Sequence, residues 1–372
     1  MTLFLIIVFG IYFLLLVALI VGWEISAKQT GAVKTSTPLS ITVIIPFRNE
    51  ANHLPALMMD LIAQNNLSEV LFIDDHSTDN SIEVLKACIR DASRFKIISL
   101  PEGWNGKKRA IHHGIQEATG DLIATTDADC QLPHAWLNSI HGMFQNKKVQ
   151  MVFGGVKILP QASVFSKLQS LEFSSLIGSG AATLGLGFPT MCNGANLAYR
   201  KSAFQDVHGF EGNFDIPSGD DEFLMRKVHE KYPEGISFLN DKSAVVSTYA
   251  QPTLKDFVSQ RFRWAGKWKH NQSLGSKLLA LFVFLFHTTF VVFIGLTIGG
   301  KVNVFFALMM MSGKILLEFV FLVRVNSFLK QPVQPIYFLV LQFVHPLYVI
   351  VIGFLSQVGK YSWKGRSLTD KL

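Results

Sequence analysis

From Thr2 to Trp23 the chain runs without one charged side chain. At about 1.5 Å of rise per residue such a helix reaches across a hydrocarbon core of about 30 Å. No Lys or Arg precedes the run and no A-x-A site follows it, so residues 1–23 read as an uncleaved anchor rather than a signal peptide. Three further apolar stretches, Leu278 to Ile298, Val302 to Val323 and Pro335 to Leu355, predict a C-terminal transmembrane bundle over 278–358, followed by a basic tail over 359–372. Residues 24–277 between them have the pattern of a soluble domain. The apolar excess, 49% hydrophobic against 16% charged residues, therefore sits at the two ends and excludes a disordered chain.

Lys28, Lys34 and Arg48 follow the first helix while no basic side chain precedes it, and this bias places the central domain in the cytosol. Three widely spaced cysteines, Cys88, Cys130 and Cys192, form no disulfide or zinc pattern and suit a reducing compartment. The formal charge of +7 points to anionic membrane lipids and phosphorylated substrates. No basic stripe with interleaved aromatics appears, so nucleic acid is not expected. Four full spans would put Lys360, Lys364, Arg366 and Lys371 on the side the same bias disfavours. Lys314 and Glu318, four apart inside the third stretch, leave two readings. Either the pair faces the bundle interior and neutralises itself, or Val302 to Val323 is re-entrant or interfacial and returns the tail to the cytosol.

The central domain alternates strand and helix patterns. Ile41 to Pro46 is a β-branched run fit for a buried parallel strand, and Leu54, Leu57, Met58 and Leu61 come next at helical spacing within His53 to Ala63. Strands over Val70 to Ile73, Phe95 to Ile98 and Asp121 to Thr126 then alternate with helices over Ser81 to Ile89 and Lys107 to Glu117. The alternation predicts an α/β fold with a largely parallel sheet.

In such sheets ligands bind outside the carboxyl ends of the strands. Those positions are acidic: Asp74 and Asp75 end one strand, Asp127 and Asp129 another. Phe47, Arg48, Asn49 and Glu50 stand after the first strand, where a dinucleotide fold would carry G-x-G-x-x-G, so hydride transfer is disfavoured. An Asp-x-Asp offers hard oxygen ligands to Mg²⁺ or Mn²⁺, although acidic turns also cap helices, as Asp79 can cap the one beginning near Ser81.

Further on stand Gly106-Lys107-Lys108-Arg109-Ala110, Cys192-Asn193-Gly194-Ala195-Asn196, Gly219-Asp220-Asp221-Glu222-Phe223-Leu224 and Gln260-Arg261-Phe262-Arg263-Trp264. In this order, after the two acidic turns, they resemble glycosyltransferase family 2, over about Ile41 to His270, and in particular its membrane-integrated members. The resemblance implies a GT-A (Rossmann-like) domain, a nucleotide-sugar donor and a divalent cation. By it Asp75 contacts the base or ribose, Asp129 is the principal metal ligand and Asp127 hydrogen-bonds the donor. Lys107 adds a cation near the diphosphate, or is merely a solvated lysine in a first helical turn. Asp221 is the expected general base, since inversion at the anomeric carbon needs a carboxylate to take the acceptor proton. Asp220 replaces the Glu usual there. It either raises its neighbour's pKa by like-charge repulsion or simply caps the following helix. None of the three cysteines or eleven histidines falls in a recognisable triad, as suits transfer in one in-line step.

Arg263, with Arg261, is expected on the diphosphate through its fork of N–H donors, and Trp264 on sugar or acceptor. The other account of this segment is a basic amphipathic helix with Trp264, Lys267, Trp268 and Lys269 as interfacial anchors. Val164 to Leu176 and the glycines behind it (Gly178, Gly180, Gly185, Gly187) are either an interfacial floor under the site or a core helix with a flexible loop. Cys192 matches the element that borders the acceptor. The expectation is an inverting, metal-dependent, membrane-bound transferase moving a sugar, by the resemblance from a uridine diphosphate donor, to a lipid hydroxyl. The alternative is a processive polysaccharide synthase, whose acceptor is the growing chain, and a third is a non-catalytic nucleotide-sugar-binding subunit.

Overall fold

The computed structural model describes residues 1–28, 39–89, 93–216, 218–266, 273–358, 361–363 and 366–368. The chain runs α1 (Thr2–Lys28), β1 (Ile41–Phe47), α2 (Leu54–Ile62), β2 (Glu69–Asp74), α3 (Ser81–Cys88), β3 (Phe95–Ser99), α4 (Lys107–Glu117), β4 (Leu122–Thr125) and α5 (Trp136–Phe144). Then come β5 (Met151–Gly154), β6 (Val156–Ile158), α6 (Val164–Gly185), β7 (Leu197–Arg200), α7 (Lys201–Asp206), α8 (Glu222–Lys231), β8 (Ile236–Leu239), β9 (Val246–Thr248) and α9 (Leu254–Gly266). The last elements are α10 (Leu274–Ile298), α11 (Val304–Leu329), α12 (Pro335–Val358) and the short strands β10 (Tyr361–Trp363) and β11 (Arg366–Leu368).

A seven-stranded sheet in the order β3-β2-β1-β4-β7-β5-β8 forms the centre. β1 and β2 are buried on both faces, which is why their sequences read as continuous apolar runs. β1 to β4 pair in parallel, β7 runs antiparallel between β4 and β5, and β5 with β8 is parallel again. Phe47 registers with Asp74, and Ile44 with Thr125. The carboxyl ends of three strands thus share one rim, and the acidic turns after β2 and β4 are neighbours there.

Four helices, α1, α10, α11 and the segment Pro335–Leu355 of α12, are long and apolar enough to cross a membrane. α11 is one continuous helix of 26 residues, so Val302 to Val323 does not break or double back. Its Lys314 Nζ lies 2.9 Å from Glu318 Oε1 and 2.7 Å from Gln342 Oε1, while Tyr12 donates to Glu318 at 2.6 Å. The charges face the bundle interior and neutralise one another, as intramembrane charges must. The tail follows α12. Gln331, just before that helix, donates to the carbonyl of Ile158 at 2.6 Å, and β10, just after it, packs against α9. Both ends of α12 lie beside the α/β domain. The side chains of Lys34, Lys267, Trp268, Lys269, Lys360, Lys364, Arg366 and Lys371 lie outside the described residues.

Of the glycines after Leu176, Gly178, Gly180 and Gly185 do not form a loop but belong to α6, a single helix of 22 residues packed against α1 and α11, and only Gly187 follows it in a turn. A Cβ on Gly185 would stand 2.0 Å from the carbonyl oxygen of Gly22, so only glycine permits this approach of α6 to α1. Small residues serve the same end between membrane helices in general. The sequence signal that breaks a soluble helix here lets two helices touch.

Candidate functional site

β2 delivers Asp75 to the rim. It is buried, and its Oδ2 accepts the N–H of Gly106 at 3.0 Å, tying the β2 turn to the start of α4. Lys107 occupies the first turn of α4. Its Nζ lies 2.6 Å from Asp127 Oδ1 and 3.2 Å from Asp220 Oδ2. Burial alone would lower the pKa of Lys107, but Asp127, Asp220 and then Asp221 outweigh it and raise it. Burial likewise works to raise that of Asp220, and Lys107 with Lys108 lowers it below the usual carboxylate range. The like-charge effect expected of the Asp220–Asp221 pair is therefore overridden at Asp220 by a shared cation. The next residue, Lys108, donates to the carbonyls of Asn213 and Ile216 at 2.7 and 2.8 Å and anchors the loop that carries Asp220.

Asp221, not Asp220, caps α8: its Oδ1 accepts the N–H of Glu222 at 2.7 Å and its Oδ2 that of Gly194 at 3.2 Å. The expectation that Asp220 supplies the cap is corrected by one residue. A cap must lie immediately before the first helical residue, and Asp220 is held away by Lys107. The helix cap is similarly displaced at α3, where Asn80 makes no side-chain cap and Asp79 accepts from the N–H of Ser81 at 3.1 Å. Gly194 lies where these groups meet, since a Cβ there would stand 3.0 Å from Asp220 Oδ2 and 3.1 Å from Lys107 Nζ. Thr125 at the end of β4 donates to the Gly194 carbonyl at 2.9 Å, linking this turn to the Asp127 segment. Burial, with Asp129 and Asp127 beside it, pushes the Cys130 thiol up, so it stays protonated and offers no nucleophile.

Arg261, expected on the diphosphate, is held by an acid of α6. It is buried, with Nε 3.2 Å and Nη2 2.5 Å from the two oxygens of Glu172 on α6. Its guanidinium stacks 4.3 Å from the ring of Trp264 and 4.5 Å from that of Phe257. Glu172 escaped the sequence reading because its partner is 89 residues away. The available signal was the one acid of a helix that from Leu171 onward is otherwise apolar or small.

One cavity of about 1130 Å³ collects every expected site residue: Asp75, Lys107, Asp127, Asp129, Cys192, Asp221, Arg261, Arg263 and Trp264. It continues from the sheet rim between the apolar helices, where Leu15, Leu19, Leu281, Phe284 and Ile352 line it. Among the described residues no group of three His, Cys, Asp or Glu side chains gathers at one point. Asp127 and Asp129 give two carboxylates on one turn, a hard-oxygen donor set that suits a cation completed by phosphate oxygens and water.

Residues 42–207 match the profile of glycosyl transferase family 2. The chain carries a glycosyl transferase family 2 domain. Similar proteins include poly-β-1,6-N-acetyl-D-glucosamine synthases. One from Staphylococcus aureus (strain MSSA476) is 27% identical over 230 residues, 60% of this chain and 53% of the relative. One from Staphylococcus epidermidis is 26% identical over 199 residues, 53% of this chain and 46% of the relative. The chain thus spans about half the length of the curated relatives it matches. Among solved structures, a mannosyltransferase from Pyrobaculum calidifontis, in complex with GDP-Man and Mn²⁺, aligns with TM-score 0.64 at 16% identity, over 95% of this chain and 97% of that one. That likeness establishes the GT-A fold, and it extends beyond the family 2 domain to the apolar helices.

Proposed function

We propose that the protein is a membrane-bound inverting glycosyltransferase that moves one sugar from a nucleotide-sugar donor, a uridine diphosphate sugar, to the hydroxyl of a lipid at the cytosolic face. The observation that carries this reading is the single cavity whose rim holds Asp129, Asp221 and Arg263 and whose other end opens among Leu15, Leu281 and Phe284. A polar donor and an apolar acceptor can share it.

Asp75 holds the nucleoside side of the donor. Asp129, with Asp127 beside it, would hold Mg²⁺ or Mn²⁺, which would supply positive charge against the leaving diphosphate. Lys107 holds Asp127 and Asp220 in place and adds a cation at the same end of the cleft. Arg263 binds diphosphate oxygens. Asp221 takes the proton of the acceptor hydroxyl as its oxygen attacks the anomeric carbon. Two backbone N–H groups, of Glu222 and Gly194, hold its carboxylate in place. Cys192 and Trp264 border the acceptor.

The named activity of the staphylococcal relatives favours a second reading, a processive polysaccharide synthase. A growing polymer needs a polar exit through the bundle. Beyond Tyr12 and His287, however, α1 and α10 close on each other through the buried rings of Phe9, Phe286, Phe290 and Phe293.

The test is a donor screen with purified protein in lipid nanodiscs, with and without Mg²⁺ or Mn²⁺, followed by organic extraction. Label in the organic phase is expected. Label confined to a high-mass insoluble product selects the synthase reading, and no transfer from any nucleotide sugar sinks both.

A further inference from the structure

We propose that Glu172 is a positioning residue of the transfer site, holding the Gln260 to Trp264 segment against the cleft through Arg261. The proposal rests on the reading of the cleft given above.

α9 carries Arg263 and Trp264, yet only two of its side chains, Phe257 and Arg261, are buried. They lie one turn apart, on the face turned toward α6. Arg261 is 4% exposed and meets the Glu172 carboxylate with two N–H groups, while its Nη1 donates to Gln260 Oε1 at 2.5 Å. The two-pronged contact fixes a direction as well as a distance, which a point charge would not. From the third side Tyr348 of α12 donates to Glu172 Oε1 at 3.4 Å. One carboxylate therefore joins α6, α9 and α12.

The consequence for the cleft comes from helix geometry. Arg263 is two residues beyond Arg261, about 200° around the helix axis, so a guanidinium anchored to α6 leaves its neighbour facing away from that anchor. Both line the cavity. The Trp264 ring lies against the Arg261 guanidinium on one side and 6.2 Å from the Phe173 ring on the other. α6 is itself a firm base, since its glycines sit against α1 and α11 at Gly22 and Val325. Removing the Glu172 charge leaves a buried guanidinium without its charged partner, and α9 is then held through Phe257 and its packing on α12.

The experiment compares Glu172→Gln, Arg261→Lys and Tyr348→Phe with the wild type, all full length in nanodiscs. For Glu172→Gln we expect kcat per folded molecule to fall at least tenfold and the Kd for Mn²⁺ with uridine diphosphate to stay within threefold. Backbone amides of α9 are expected to exchange at least tenfold faster while those of α4 are unchanged. Arg261→Lys, which keeps the charge and loses the fork, should fall between, and Tyr348→Phe should stay within threefold of wild type. A lower thermal midpoint with unchanged kcat per folded molecule, or unchanged exchange in α9, overturns the proposal. A wild type that transfers no sugar sinks the reading of the cleft, and the exchange data then decide the anchoring by themselves.

Discussion

Lys107 Nζ lies 2.6 Å from Asp127 Oδ1, and the same nitrogen reaches Asp220 Oδ2 at 3.2 Å. An acid just after β4 and an acid just before α8 are thus held by one cation at the start of α4. Without it, Asp127 and Asp220 would lose the cation they share. Lys107→Met should lower donor turnover by roughly 10²- to 10³-fold, the scale for loss of one preorganised electrostatic group. Turnover at saturating donor, normalised to folded protein by size exclusion, checks this. A fall below threefold would return Lys107 to the rank of a solvated lysine.

The same pair sets a sign for acid stability. Asp220 titrates below its ordinary range, so its contribution is fully present above the unfolded value of about 4 and is lost as pH falls through the folded one. The raised pKa of Lys107 acts only in the alkaline range, where its contribution is lost as pH rises through the folded value. The wild-type thermal midpoint should therefore decline from about pH 5 to about pH 3, and Lys107→Met should decline less over that window. Parallel midpoint curves for the two proteins would show that the pair adds nothing to acid stability.

Asp221→Asn separates chemistry from architecture. Asn is as good an N-cap as Asp, so the start of α8 can persist, although its amide nitrogen cannot accept the second N–H, that of Gly194. The base is gone. Turnover should fall about 10²- to 10⁴-fold while nucleotide affinity and thermal midpoint change little. Titration calorimetry with uridine diphosphate beside a turnover assay makes the comparison, and wild-type turnover in the variant would mean that another group takes the proton.

Much of this was legible in the sequence because β-branched runs and helical spacing are local signals. Ile41–Phe47 and Lys107–Glu117 emerge within a residue of where the patterns put them. The acids at the strand ends were legible too, since parallel strands bring the residues at their carboxyl ends to one rim. β5, β7 and β8 are no shorter than β4, four residues each, but were missed because they lie outside the regular strand–helix alternation that gave β4 away. The choice between Asp220 and Asp221 as cap turned on a contact from Lys107, over a hundred residues away. Glycines in α6 read as a loop because the pattern assumes water around a helix, whereas here another backbone stands against them.

That close contact gives a prediction of its own. Gly185→Ala places a methyl group where the Gly22 carbonyl lies, forcing α6 away from α1. The cost should be about 1 to 3 kcal/mol, as for other overpacked sites. Because α6 also carries Glu172, turnover should fall along with the thermal midpoint measured in detergent. Gly187→Ala, where a Cβ would meet no atom within 4 Å but the backbone has φ of +76°, should lose stability through backbone strain without displacing α6.

The charges inside the bundle call for a double-mutant cycle. Lys314 is 2% exposed and pairs with Glu318, and both bond Gln342 from α12. Lys314→Met alone strands a carboxylate among apolar helices, and loss of one partner of a buried pair costs about 3 to 5 kcal/mol. Glu318→Leu alone strands the ammonium and should cost about as much. Replacing both removes the two charges together, and such exchanges are neutral or stabilising elsewhere by about 1 to 4 kcal/mol. The double variant should therefore unfold at or above the wild-type temperature while each single one falls well below it. Additive losses in the four thermal midpoints would mean that the two side chains are not coupled, and that α11 tolerates its charges by some contact other than this pair.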